Sequence, residues 1–403
     1  MGEAGSPRAG AERFIGADSL RAIGALGVVV FHCSVFAGLG AGLLSHGWFV
    51  ALGRLPLRVI EGQQFMVYVF FALSGYLLGR PFISALVEDR PLPAVKTYLR
   101  NRWWRLAPGI VATFVITLAV LGNEGSSAAR IAAVPLMIQN YYPSNFSNQG
   151  TIHFWTLDTE VAYYLLLPVA AILLTYLLRG RWSPAIRRNV VIAGILAISA
   201  LSIWLSNRLL WTDFVHQREF PRIGFAFAPG LLLAAVSTSA PARLASSQHG
   251  NRIATAMLLA AIAPLVYYVV TIEHPVLWAH NTAAVTGAGL VVAATLVRQW
   301  SDDGCWRVLD NRPLQWLGKR SYSFYLLHLI VIRELAQPFH RHLGLTAFVV
   351  YALLSVVFLM PISALAYALL EQPFIARRKA WRAPAQASPQ PAAAPAPGVA
   401  VQG

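Results

Sequence analysis

The sequence predicts an all-α fold, a polytopic transmembrane helical bundle of about ten spans with both termini in the cytoplasm. Hydrophobic residues make up 57% of the 403 residues and charged residues only 12%, whereas soluble domains are about 25% charged. Long uncharged runs recur along the chain, and many reach the roughly 20 residues that a membrane-crossing helix needs. Together these observations exclude a soluble multidomain enzyme.

The predicted spans follow from the positions of the charged residues. Uncharged runs occupy residues 22–53, 62–79, 106–123, 161–178, 189–207, 223–242, 253–272, 274–297 and 342–370. The segment 321–337 carries Arg333 and Glu334 near one end but is otherwise apolar enough to cross. The run 131–157 is interrupted by Pro135 and by the polar stretch 139–145, so it predicts an ordered loop with at most a partial helix.

The basic residues predict the orientation of these spans. With the amino terminus inside, the inner segments carry most of the 32 lysines and arginines, as the positive-inside rule requires. The net charge of +15 therefore does not indicate a nucleic-acid partner. We expect a multi-pass protein of the cell (plasma) membrane. Residues 1–13 form a cytoplasmic segment, residues 14–380 the membrane domain, and the Pro/Ala-rich residues 381–403 a disordered cytoplasmic tail.

The first span carries ionisable residues, which are costly in a membrane and indicate a functional site. Arg21 and His32 are eleven residues apart, so they share one helical face at a separation of about 16 Å. The small Ala25 between them favours a crevice that leads from the cytoplasm to the imidazole. A histidine titrates near neutrality and can take a proton from an alcohol. The alternative is a structural histidine hydrogen-bonded between helices, and neighbouring Cys33 is expected to be a core residue.

Two arginines precede the third span. Arg102 and Arg105 are three residues apart and project from one helical turn, so their planar guanidinium groups can bind the phosphates of a cytoplasmic cosubstrate. The alternative is an interfacial belt of snorkelling and aromatic side chains, since Trp103 and Trp104 lie between them.

The remaining polar positions lie on three other spans. Asp158 and Glu160 open the fourth span near the outer interface, where Asp158 could be solvated and the deeper Glu160 needs an arginine or a substrate hydroxyl as its partner. Tyr325 and His328 form a polar stripe that more often joins helices than catalyses. Glu371 ends the last span and is expected to anchor it. No group of residues has the spacing of a metal site.

Six of these segments, in the same order, resemble the acyltransferase 3 family of integral membrane O-acyltransferases over about residues 14–373. The motifs are Asp18-x-x-Arg21 with His32, the stretch 70–77 that contains Ser74, Arg102-x-x-Arg105-Leu106-x-Pro108, Trp155-Thr156-Leu157-x-x-Glu160, Ser321-Tyr322 with Tyr325 and His328, and Glu371-x-Pro373. The chain departs from the family pattern at Val161, where a second carboxylate is common, and at Ile330, where a proline is common.

The resemblance implies a cytoplasmic acyl-CoA donor, and it maps the family's essential first-helix histidine onto His32. The family's arginine pair maps onto Arg102 and Arg105, which would bind the CoA phosphates. We expect Arg21 to add to that clamp or, with Asp18, to fix the helix entrance, and Glu160 to orient the acceptor or His32. The other candidate positions are expected to bind substrate or to be structural, namely Asp18, Ser74, Trp155, Tyr325 and His328.

The sequence thus predicts transfer of a short acyl group from acyl-CoA to the hydroxyl of a glycan, a glycolipid or a small metabolite. His32 would be the general base, acyl-CoA would be a cosubstrate, and no permanently bound cofactor or metal is expected. The alternative from another class is a proton-coupled secondary transporter that uses His32, Glu160 and Arg21 as a relay. A non-catalytic scaffold or receptor gives no reason for the alignment of His32 with Arg21.

Overall fold

The computed structural model describes residues 14, 16–39, 55–122, 128–141, 150–208, 218–239, 249–272, 277–302, 306–339 and 343–380. These residues form helices joined by turns, with no strand among them. The α-helices are α1 (Gly16–Phe36), α2 (Leu55–Glu61), α3 (Met66–Val87), α4 (Val95–Leu121), α5 (Ala128–Ala133), α6 (Trp155–Leu178), α7 (Pro184–Arg208), α8 (Phe220–Ile223), α9 (Ala228–Val236), α10 (Gly250–Val270), α11 (Leu277–Asp302), α12 (Arg312–Ala336), α13 (Leu345–Ala366) and α14 (Gln372–Ala380). The segment 1–13, the tail 381–403 and the end of the first predicted run, 40–53, lie outside the described residues.

The structure confirms a polytopic helical bundle. Among the described residues, eight helical segments are long and apolar enough to cross a membrane: Gly16–Phe36, Leu55–Val87, Val95–Leu121, Ile152–Leu178, Pro184–Ser206, Gly250–Val270, Ala279–Ser301 and Leu345–Ala376. The predicted span 223–242 falls on a shorter apolar segment, Phe220–Val236. The predicted span 321–337 falls in α12, whose first half is polar and which begins at Arg312. In the described residues of the run 131–157, α5 ends at Ala133, short turns follow, and α6 begins at Trp155, so no helix spans this run.

Helix α12 packs along α1 and places its polar stripe against the first span. The amino end of α12 is capped by Asn311, whose side chain accepts a hydrogen bond from Leu314 N at 3.4 Å. At Gly318 the two helices touch through their backbones, because a Cβ atom there would overlap the carbonyl oxygen of Asp18. Small residues permit such close approach between membrane helices. This contact fixes the position of α12 along the axis of α1.

A second close contact joins α3 to α9. A Cβ atom on Gly75 would overlap the carbonyl oxygen of Phe227, and one on Gly230 would overlap that of Ala72. The outer helices α7, α10 and α13 instead present large apolar side chains outward, and Ile198, Leu259 and Val357 are each more than 60% exposed. Apolar residues outside and small or polar residues inside are typical of a bundle that is surrounded by lipid. The chain is therefore a membrane protein.

Candidate active site

Two cavities lie inside the bundle and meet at Val67 and Tyr325, which line both of them. The first, of about 250 Å³, is lined by Arg21, Arg102 and Arg105, and we name it the arginine cavity. The second, of about 550 Å³, is lined by His32 and His153, and we name it the histidine cavity. Because Arg21 and His32 lie on the same face of α1, the two cavities follow one another along that helix.

Two helices supply the positive charges of the arginine cavity. Arg21 comes from α1, where its Nη1 atom lies 3.4 Å from Oδ1 of Asp18. Arg102 and Arg105 come from the first turns of α4 and point together because they are three residues apart. The guanidinium carbon of Arg102 lies 5.9 Å from the ring centre of Tyr164, within the range of a cation–π contact. The cavity therefore has the charge and the geometry to bind phosphate groups.

Glu160 is the carboxylate of the arginine cavity. Its Oε1 atom accepts a hydrogen bond of 2.8 Å from the hydroxyl of Ser74 on α3. The same oxygen accepts a hydrogen bond of 2.6 Å from the hydroxyl of Tyr164, one turn further along α6. These two bonds hold the carboxylate among the arginines, and Glu160 contributes to the electrostatic environment of both Arg21 and Arg105.

A cluster of three histidines borders the histidine cavity. His328 on α12 lies between the other two, with its ring centre 4.9 Å from that of His32 and 4.6 Å from that of His153. The Nε2 atom of His328 is 3.2 Å from Nδ1 of His32. His328 is fully buried, whereas His32 is partly exposed to the cavity. Within the cluster, His32 is thus accessible to a ligand in the cavity, and the buried His328 contacts His32 from the interior of the bundle.

Tyr325 ties α12 to the start of α6 at the junction of the cavities. Its hydroxyl donates a hydrogen bond of 2.9 Å to the carbonyl oxygen of His153 and lies 2.7 Å from the hydroxyl of Thr156. The ring of Tyr325 also lies edge-on to that of His153, with a centre-to-centre distance of 5.1 Å. The junction is therefore held by two hydrogen-bond contacts and one ring contact.

Arg218 places a positive charge at the histidine cavity from the segment that precedes α8. Its guanidinium carbon lies 4.7 Å from the ring centre of Trp155. Its carbonyl oxygen accepts hydrogen bonds of 3.2 Å from both Asn140 and Thr159, which fix this segment against α6. Burial lowers the pKa of Arg218 to about 9, because a charge is poorly solvated there.

The structure places the predicted residues in two groups. Arg21, Arg102, Arg105, Ser74 and Glu160 line the arginine cavity, with Asp18 beside Arg21. His32 and Trp155 line the histidine cavity, Tyr325 lines both, and His328 contacts His32 from behind. The hydrogen bonds of Glu160 go to Ser74 and Tyr164, so this carboxylate lies on the arginine side rather than beside His32.

Three further residues are buried in the bundle. Asp158 is not solvated: it is 1% exposed and accepts a hydrogen bond of 3.0 Å from the backbone of Asn140. Glu371 is also buried and accepts a hydrogen bond of 2.5 Å from the hydroxyl of Ser323, which anchors the last span to α12. Cys33 is a buried core residue, as expected.

Sequence reasoning missed Arg218, Tyr164 and Gln64 as residues that line the cavities. Tyr164 follows Glu160 by four residues, a spacing of one helical turn, but no role was assigned to it. Arg218 lies between predicted spans, where an arginine is ordinary, and only its contact with Trp155 at the cavity distinguishes it.

Comparison with known proteins gives a consistent result. The chain is similar to a Bacillus subtilis protein, YrhL, that is provisionally named a peptidoglycan O-acetyltransferase, with 24% identity over 91% of this chain and 58% of that protein. It is also similar to the O-acetyltransferase OatA of Staphylococcus aureus, with 23% identity over 79% of this chain and 50% of that protein. The chain spans about half the length of these curated relatives. No solved structure matches it.

The family comparison covers most of the chain. The acyltransferase 3 profile, described as an acyltransferase domain, matches residues 14–367. Both cavities and the histidine cluster lie within the matched region. The chain therefore belongs to the acyltransferase 3 family.

Proposed function

We propose that this chain is an O-acyltransferase of the plasma membrane that moves a short acyl group from acyl-CoA to a hydroxyl, with His32 as general base. The observation that carries the proposal is the junction at Val67 and Tyr325, where a cationic cavity meets a cavity lined by a histidine. A phosphate-bearing donor and an alcohol can thus approach one point from two directions.

The donor fits the arginine cavity by charge. Arg102 and Arg105 would hold the CoA phosphates, since guanidinium groups bind phosphate through paired hydrogen bonds. The positive-inside rule would put these residues at the cytoplasmic side, where acyl-CoA is present. Arg21 is about 16 Å from His32 along α1, a distance that the pantetheine arm of CoA can bridge. The thioester would then lie near Tyr325.

The acceptor fits the histidine cavity. Its hydroxyl would give its proton to His32, and the alcohol oxygen would attack the thioester carbonyl as the carbon–sulfur bond breaks. The departing sulfur would then take the proton from His32, which restores the neutral base. The products are an ester and free CoA. A well-placed general base of this kind contributes about 10²–10⁴-fold to the rate.

The acceptor would approach from the side opposite to the donor, because the histidine cavity is bordered by Ile152 and Arg218 from segments between the spans. The names of both relatives favour acetyl as the acyl group, and the name of the Bacillus subtilis relative favours an envelope glycan as the acceptor. A glycolipid or a small metabolite offers the same hydroxyl chemistry.

Glu160 would order the donor side in this proposal. It balances the arginines while the cavity is empty, and its bonds to Ser74 and Tyr164 hold that arrangement. This role differs from direct action on His32.

The test is transfer of radiolabelled acyl groups from a panel of acyl-CoAs into host extracts, with membranes that contain the wild type or His32→Ala. Label that enters a product with the wild type alone supports both the reaction and the role of His32, and the product identifies the acceptor. If neither protein transfers label while reconstituted wild type carries a solute along a proton gradient, the acyltransferase proposal is wrong and the transporter replaces it.

A further inference from the structure

We propose that His328 is a positioning residue that selects the protonation tautomer of His32, so that Nδ1 of His32 carries the hydrogen and Nε2 is the base. This inference rests on the proposed function, because it assigns a partner to the same histidine. It concerns the contacts that hold the base, none of which involves the donor or the acceptor.

The first step is the hydrogen bond of His32 within α1. Its Nδ1 atom lies 3.0 Å from the carbonyl oxygen of Val28, one turn earlier. A carbonyl oxygen only accepts, so Nδ1 must carry the hydrogen for this contact to be favourable. Within the described part of the chain, both hydrogen-bond contacts of His32 involve Nδ1. A neutral imidazole then has its lone pair on Nε2, the nitrogen left for a ligand in the histidine cavity.

The second step applies the same reasoning to His328. Its Nδ1 atom lies 2.5 Å from the carbonyl oxygen of Tyr325, so this nitrogen also carries the hydrogen. The Nε2 atom of His328 is therefore an acceptor, and it lies 3.2 Å from Nδ1 of His32. If Nε2 carried the hydrogen in both rings, the lone pair of each Nδ1 atom would face a carbonyl oxygen, which is unfavourable. One arrangement alone satisfies all three contacts, in which His32 shares its Nδ1 hydrogen between Val28 and His328.

The third step is the rigidity of the pair. His328 is 0% exposed and sits on α12, which is fixed against α1 by the contact between Gly318 and Asp18. Its ring also packs against His153 at a centre-to-centre distance of 4.6 Å. The acceptor nitrogen of His328 is consequently held in place before any ligand binds.

The arrangement has a direct chemical consequence. When Nε2 of His32 takes the proton of the acceptor hydroxyl, positive charge appears on a ring inside the membrane. The Nδ1 hydrogen then points at two acceptors, the Val28 carbonyl and His328 Nε2, which stabilise the imidazolium. Oriented acceptors that need not reorganise are most effective in a site with little water. Loss of His328 should therefore slow the chemical step and leave donor binding intact.

Two substitutions separate the two nitrogens of His328. In His328→Gln the amide lies near the position of Nε2, so an acceptor for His32 is restored. In His328→Asn the amide lies near Nδ1, so only the contact with Tyr325 is restored. His328→Phe removes both. A matched control is His280→Gln, since His280 is a buried histidine of α11 whose Nδ1 atom contacts Thr271 rather than the cluster.

The experiment measures label transfer from acetyl-CoA at varied concentration, with full-length protein in nanodiscs and a fixed amount of host envelope extract. We expect His328→Phe to lower kcat by about 10²-fold while KM for acetyl-CoA changes by less than about twofold. His328→Gln should recover at least about tenfold of that loss, and His328→Asn should not. The proposal is overturned if the asparagine variant recovers activity and the glutamine variant does not, or if His328→Phe matches the His280→Gln control.

A second measurement tests the pair without any turnover. Wild-type protein labelled with ¹⁵N-histidine in bilayers is compared by solid-state NMR with His32→Ala, which assigns the nitrogens of His32. A protonated Nδ1 and an unprotonated Nε2 support the tautomer that the proposal requires, and the reverse assignment overturns the proposal. This readout holds even if every His328 variant fails to fold. If wild type and His32→Ala both transfer no label, the proposed function is wrong, and the NMR result still decides the tautomer.

Discussion

Ser74 Oγ donates a hydrogen bond of 2.8 Å to Glu160 Oε1 and so joins α3 to α6 inside the arginine cavity. A hydrogen bond to a charged group contributes about 1.5–3 kcal/mol. The bond fixes the carboxylate beside three arginines, whose positions determine how phosphates bind.

Loss of this bond should weaken the donor side. We expect Ser74→Ala to lower kcat/KM for acetyl-CoA by about tenfold. The variant lacks the hydrogen bond from Ser74 to Glu160 and keeps the one from Tyr164. Ser74→Thr retains a hydroxyl and serves as the control. Steady-state kinetics with varied acetyl-CoA provide the measurement, and an alanine variant as efficient as the threonine variant would contradict the expectation.

Replacement of Arg102 and Arg105 by alanine should abolish the preference for a phosphate-bearing donor. We expect KM for acetyl-CoA to rise by about tenfold or more per arginine, since each guanidinium contact to phosphate is charge-assisted. S-acetylpantetheine lacks these phosphates. We expect a much lower kcat/KM for this donor, and the substitutions should leave that value unchanged. Arg105→Lys keeps the charge without the planar fork and should be intermediate.

The ratio of kcat/KM values for the two donors is the measurement for this prediction. A ratio that stays the same in the double alanine variant would mean that the phosphates bind elsewhere. If the ratio falls only because kcat/KM for S-acetylpantetheine rises, the arginines merely obstruct the smaller donor.

Gly318→Ala should destabilise the bundle. A Cβ atom there meets the carbonyl oxygen of Asp18, which belongs to a backbone and cannot rotate away. Overpacking of this kind typically costs about 1–3 kcal/mol, so Tm in detergent should fall. Gly194→Ala on α7 is the matched control, because its Cβ atom has no other atom within 4 Å. That variant should be neutral or more stable, since alanine favours helix over glycine by about 1 kcal/mol. Equal Tm changes in the two variants would show that α1 and α12 are not in backbone contact.

Cys33→Ala should retain activity despite the position of Cys33 next to His32. The sulfur atom is fully buried and lies 3.7 Å from the hydroxyl of Ser355 on α13, away from the histidine cavity. We expect kcat within about twofold of wild type, because Cys33 is a small core residue. A loss as large as that of His32→Ala would instead assign the thiol to the reaction.

Much of the fold could be predicted from the sequence, because uncharged runs report burial in lipid directly. Helices α4, α6, α7, α10, α11 and α13 occupy the expected runs. The run 223–242 was assigned a full span, but apolar character alone does not set helix length, and α9 ends at Val236. The polar first half of α12 was not included in a span, since its contact with α1 depends on Gly318 rather than on hydropathy.

The candidate site was only partly predictable. The helical period put Arg21 and His32 on one face of α1, and each of them lines one of the two cavities. The helical period of α1 could not show that Val67 and Tyr325 line both cavities, because these residues belong to α3 and α12. The contact between His32 and His328 joins positions 296 residues apart, and no local pattern specifies such a pair. Glu160 was expected near the outer interface, but it lies with the arginines because Ser74 and Tyr164 hold it there.

The shared lining of Val67 and Tyr325 has an electrical consequence. The two cavities follow one another along α1, and the shared lining forms the barrier between them. A membrane potential would fall mainly across that barrier rather than over the full thickness of the bilayer. Each elementary charge that crosses it would then do about 2.3 kcal/mol of work per 100 mV. Any charge that moved past Tyr325 would therefore respond to the membrane potential.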